Sequence, residues 1–89
     1  MEQGSANLPH LETLCAAALY LATNYARSGC PMLCHMVMRQ LACILDYPGD
    51  SVSPALRETC RRLYSEWERI GIERAQALQT GAAAHRHLH

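Results

Sequence analysis

Apolar residues recur at alternating steps of three and four along most of this chain, and this spacing limits the fold more than any other feature. Steps of three and four return to the same side of an α-helix, whereas a strand would alternate at every second residue. Glycine and proline divide the pattern into three segments, with breaks at 29–31 and 48–54. The sequence therefore predicts an all-α fold, an up-down-up three-helix bundle with short links.

The first two helices are delimited by these breaks. Pro9 suits the first turn of helix one, and Gly29 ends that helix. Helix two begins at Pro31 and runs to Leu45, where "DYPGD" predicts a turn. The apolar stripe of helix one comprises Leu11, Leu14, Ala18, Leu21 and Tyr25.

Helix three is predicted from Ser53, an N-cap residue, followed by a first-turn proline. Because Ile72 falls on the other side of the helix from the stripe, helix three should either bend at Gly71 or overhang the bundle. We expect one domain over residues 1–80 and a disordered, histidine-containing tail over 81–89. The predicted stripe of helix three comprises Leu56, Cys60, Leu63, Trp67 and Ile70.

Length and charge restrict the functional class. The 89 residues suffice for one small domain, and the formal net charge is zero, with eight acidic residues against eight basic ones that are all arginine. No net field would attract the chain to nucleic acid or to an anionic membrane, and no apolar run has the length of a membrane span. The first ten residues lack the charged and apolar regions of a secretory signal, which predicts a cytoplasmic location. In that compartment thiols stay reduced, so five cysteines, an odd number, do not predict a disulfide framework.

The stretch "SGCPMLCHMVMRQLACIL", residues 28–45, is the most unusual in composition. On a helical wheel one arc of helix two should face helices one and three. Met32, Met36 and Cys43 form a nearly opposite line, which we call the methionine line; His35, Arg39 and Gln40 border it. The predicted core arc comprises Cys34, Val37, Leu41, Ile44 and Leu45.

A helix that is apolar all round is normally buried, so the methionine line needs a second surface to cover it. We expect a two-fold homodimer through helix two, because an isologous contact is the commonest way to cover such a line. The predicted function is a small protein–protein interaction module, an adaptor or regulator of a larger protein, without catalysis or cofactor. Its predicted interface comprises Met32, Met36, Arg39, Gln40 and Cys43.

Metal binding and redox sensing are the alternatives. Thiolate, thioether and imidazole ligands suit Cu(I), or Zn²⁺ where thiolates dominate. Cys30 and Cys34, however, face away from the methionine line, so one four-coordinate site could not collect all these ligands. A redox role would rest on Cys30, since a helix N-terminus stabilises a thiolate. The candidate ligands are Cys30, Met32, Cys34, His35, Met36 and Cys43.

Overall fold

A computed structural model describes the backbone of residues 9–88 and the side chains of residues 9–80. The described part of the chain contains three α-helices, one 3₁₀ turn and no strand, which confirms the predicted all-helical class. The helices are α1 (Leu11–Ser28), α2 (Pro31–Leu45) and α3 (Pro54–Leu88), and the 3₁₀ turn is Gly49–Ser51.

Helix α1 begins two residues after the position at which proline was expected to enter it. Pro9 lies outside the helix, and its carbonyl accepts a 2.7 Å hydrogen bond from the Tyr47 hydroxyl, which ties the start of α1 to the α2–α3 connection. Gly29 ends α1 in the left-handed conformation, with φ 68°, and its N–H donates to the Tyr25 carbonyl at 2.7 Å. A glycine suits this position because an L side chain there would be strained.

Helix α2 has the predicted bounds, with Pro31 in its first turn. Its last carbonyls lack partners within the helix and need donors from elsewhere. Arg57 on α3 is one such donor, because its guanidinium donates to the Leu45 carbonyl at 2.8 Å. The same guanidinium donates to the carbonyl of Gly49, in the 3₁₀ turn, at 3.4 Å. The end of α2 is thereby held beside the start of α3.

Helix α3 begins as predicted, because the Ser53 hydroxyl accepts a hydrogen bond from the Leu56 N–H at 3.1 Å. It continues through Gly71 without interruption, so the overhang is the alternative that the structure adopts. Residues 76–80 are all exposed. The backbone of residues 81–88 continues α3 as a helix, whereas a disordered tail was predicted over 81–89; the side chains of these residues lie outside the described part of the chain.

The core forms where α1 and α3 each pack against α2. Leu63 was expected in this core but is 40% exposed, because it lies at the edge of the α3 stripe. Leu56, Trp67 and Ile70 are half-buried, and Cys60 is the buried member of that stripe. None of the described helices has the length and apolar character needed to cross a bilayer. The buried apolar residues are Leu14, Cys34, Val37, Leu41, Ile44, Val52 and Cys60.

Candidate interaction surfaces

An open apolar groove lies between α1 and α3. Its floor is the core face of α2, and its volume is about 270 Å³. We call it the α1–α3 groove. Its lining is apolar apart from one threonine hydroxyl and two thiols, so water inside it finds few hydrogen-bond partners. The lining residues are Cys15, Ala18, Leu19 and Ala22 of α1, Val37, Leu41 and Ile44 of α2, and Leu56, Thr59, Cys60, Leu63 and Trp67 of α3.

Small side chains on α1 explain why the groove stays open. Ala18 and Ala22 lie one turn apart on the side of α1 that faces the groove, and neither reaches across to α3. Two leucines mark the edges: Leu19 on α1 is 71% exposed, and Leu63 on α3 is 40% exposed. Isolated exposed leucines are ordinary on a protein surface, but these two border one apolar groove and extend its exposed apolar surface.

An aromatic pair lies at the Trp67 end of the groove. The rings of Tyr25 and Trp67 meet edge to face, with their centroids 5.2 Å apart and their planes at 78°. This arrangement places the positive edge of one ring against the negative face of the other. The pair also joins α1 directly to α3.

Two thiols lie inside the groove, one on each wall. Burial raises the pKa of Cys60, and the neighbouring Cys15 raises it further, because two thiolates in one apolar site would repel each other. Both cysteines are free. A thiol with a raised pKa is neutral near pH 7, so Cys60 contributes to the apolar character of the groove.

The methionine line lies on the opposite side of α2 from the groove. Met32 is 64% exposed and Met36 is 40% exposed, and Cys43 is exposed as well. Arg39 is exposed and Gln40 half-buried at its border. The predicted interface residues therefore share one surface of the single chain, and at its Cys43 end this surface borders a small pocket that Leu14 and Tyr47 also line.

The candidate metal ligands are divided between different environments. Cys34 is buried, its Sγ donates to the Trp67 carbonyl at 3.4 Å, and burial raises its pKa, which disfavours the thiolate that a metal would need. Cys30 and His35 are exposed. Among the described residues no three His, Cys, Asp or Glu side chains come close enough together to hold a metal ion.

Cys30 occupies the N-cap position of α2, as the redox interpretation required. Its N–H donates to the Ser28 hydroxyl at 3.2 Å, and its carbonyl accepts from the Leu33 N–H at 3.0 Å. Its own side chain makes no capping hydrogen bond. The Cys30 thiol is exposed, whereas Cys34, the nearest cysteine in sequence, is buried.

A second cavity, of about 420 Å³, lies between the start of α2 and α3. Gly71 opens it, since a Cβ at this position would lie 3.2 Å from Cys34 Sγ. Polar side chains border it, including His35, Glu68 and Arg74. Sequence reasoning identified Gly71 as an irregularity but found neither this cavity nor the α1–α3 groove. The alanines of α1 were the signal available for the groove.

Comparisons with protein families, curated proteins and solved structures gave no match for this chain.

Proposed function

We propose that this chain is a small protein–protein interaction module that self-associates and acts by contact, as an adaptor or regulator of a larger protein. The α1–α3 groove is the observation that carries the proposal. Burying an exposed leucine gives about 1.5–3 kcal/mol, and the groove has one at each edge. A helix laid along the groove would cover both leucines and the apolar floor between them.

The contacts of the three helices support the up-down-up arrangement that this proposal uses. Arg57 joins the start of α3 to the end of α2, and Trp67 lies beside Cys34 near the start of α2. Tyr25, late in α1, meets Trp67. A helix in the groove would then complete a four-helix bundle, in which the helices share one apolar core.

The methionine line is the second surface that self-association could use, as the two-fold dimer through α2 requires. We place the module in the cytoplasm, because an odd number of free cysteines suits a reducing compartment. In this proposal the module catalyses no reaction, holds no cofactor and binds neither nucleic acid nor a membrane. A soft-metal or thiol sensor on Cys30, Cys34 and the methionine line is the competing hypothesis.

Sedimentation velocity at micromolar concentration tests the proposal. The parent chain should be a dimer. Leu19→Glu places a charge at the groove, Met36→Glu places one in the methionine line, and Thr13→Glu, exposed on another side of α1, is the matched control. We expect one of the first two variants to yield folded monomer and the control to leave the dimer intact.

A monomeric parent at all accessible concentrations would contradict self-association. Metal analysis of the same protein, purified without chelator, addresses the competing hypothesis. One tightly bound Cu or Zn per chain, lost in Cys30→Ser, would favour the sensor over the interaction module.

A further inference from the structure

Helix α3 is much longer than the helix it packs against. It spans Pro54–Leu88, whereas α2 spans Pro31–Leu45. Among the described side chains of α3, contacts with the rest of the chain end near Arg74, which packs over Gly29, and Ala75, which borders the second cavity. At 1.5 Å per residue, the part of α3 beyond Arg74 is about 21 Å long. We call this part the overhang.

The overhang matches the α1–α3 groove in length. The α3 wall of the groove runs from Leu56 to Trp67, a distance of about 16 Å along the helix axis. A second copy of the chain therefore carries, outside its own bundle, a helical segment long enough to fill the groove of the first.

The apolar stripe of α3 continues into the overhang. Leu78 lies five full turns after Cys60, so it points in the direction that faces α2 within the bundle. Because it lies past the last contact with α2, Leu78 is 47% exposed. On the groove side of α3, Leu63, Ile70 and Ala77 follow one another at steps of seven and share one face.

We infer that the occupant of the α1–α3 groove is the α3 overhang of a second copy, in a two-fold dimer whose α3 helices run antiparallel and cross at Ile70. This inference rests on the proposed self-association and names the surface that performs it. Leu78 of the second copy then lies level with Arg62, one residue from Leu63, and reaches across to Leu19, so that three exposed leucines cover one another. By symmetry both grooves are filled.

Charge and size complementarity support this register. Glu66 lies four residues before Ile70, and Arg74 lies four residues after it. The antiparallel crossing at Ile70 therefore places Glu66 of each copy opposite Arg74 of the other, which gives two such pairs in the dimer. Leu63 and Ala77 lie seven residues from Ile70, which places a large side chain opposite a small one. Within the single chain Glu66 pairs with Arg69 on the surface, and both Glu66 and Arg74 are exposed. Both charges are therefore accessible to a second copy.

Leu78→Glu is the first test, because this residue lies outside the bundle and its replacement should leave the monomer fold unchanged. We expect the dimer dissociation constant, measured by sedimentation equilibrium, to rise by about tenfold or more. Gln79→Glu adds the same charge at the next residue, about 100° around the helix, and should leave the dissociation constant unchanged. Circular dichroism should show the parent helicity in both variants.

A charge swap tests the register. Glu66→Arg and Arg74→Glu should each weaken the dimer by about tenfold, since each places like charges opposite one another. The double variant restores opposite charges across the two-fold axis and should recover most of the parent affinity. A role of either residue only within its own chain would not produce this recovery.

Two results would overturn the inference in distinguishable ways. A dimer that tolerates Leu78→Glu but dissociates with Met36→Glu would place the seam on the methionine line, which refutes the overhang and leaves the proposed module intact. A parent that is monomeric at every concentration would refute both.

Discussion

Gly71→Ala offers a sensitive test of the packing between α2 and α3. Alanine is favoured over glycine within a helix by about 1 kcal/mol. Against this gain, the new Cβ would lie 3.2 Å from Cys34 Sγ, which is closer than ordinary contact. Cys34 is buried and hydrogen-bonded to the Trp67 carbonyl, so the thiol cannot move away without losing that bond. Crowding of this kind typically costs about 2 kcal/mol.

We therefore expect Gly71→Ala to lower the free energy of unfolding by about 1 kcal/mol in the parent, the difference between these two effects. In a Cys34→Ala background the crowding disappears, and the same substitution should raise the free energy of unfolding by about 1 kcal/mol. The coupling between the two sites is then about 2 kcal/mol. Urea unfolding followed by circular dichroism, at one fixed protein concentration, gives all four values.

Ser65→Gly is the matched control: Ser65 is exposed in the middle of α3, so its substitution changes only the helix propensity. It should cost the same in both backgrounds. If Gly71→Ala stabilised the parent and the Cys34→Ala variant equally, the close approach of Gly71 to Cys34 would play no part in stability and the reasoning would fail.

Three further predictions concern the thiols and the aromatic pair. Cys30 and Cys43 are exposed and should be alkylated in the native protein. Cys34 and Cys60 are buried and should react only on unfolding. Peptide mass spectrometry identifies the labelled cysteines, and early labelling of Cys34 would contradict its burial. Burial raises the pKa of Cys34 and Cys60, so as pH rises these thiols ionise in the unfolded chain before they ionise in the folded one. The urea midpoint of unfolding should therefore fall above the ordinary thiol pKa of about 8.5. A midpoint that rose there would contradict the burial of both thiols. Trp67→Ala removes a half-buried ring and its edge-to-face contact, and should cost about 3 kcal/mol in the same unfolding assay; a loss below about 1 kcal/mol would show that the ring does not pack.

Helix number and most helix ends could be predicted because they depend on local chemistry. Gly29 adopts a conformation that few other residues tolerate, and Ser53 caps the helix that Pro54 opens. Pro9 lies two residues before α1 and not in its first turn, because a proline can precede a helix as easily as enter it. Four of the five core positions predicted for α2 are buried, because the structure retains the helical period, and Leu45, the last of them, is half-buried.

The groove could not be predicted because periodicity does not give the distance between two helices. The stripe of α3 assigned Leu63 to the core, yet its exposure depends on how far α1 lies from α3. That distance depends on the combined volumes of side chains on three helices, including Ala18 and Ala22. The exposure of the methionine line was predicted correctly, because it depends only on which side of α2 the residues occupy. The helical period gives that side without any distance between helices.

The central position of α2 also has a consequence for the rate of folding. Both extensive helix interfaces join elements that follow one another in the chain, α1 with α2 and α2 with α3. The first pair is separated by a link of two residues, Gly29 and Cys30, so little loop entropy opposes its formation. Proteins dominated by such local contacts reach the native state in microseconds to milliseconds. The monomer should therefore be complete well before it meets a second copy, and association at micromolar concentration should be the slower step.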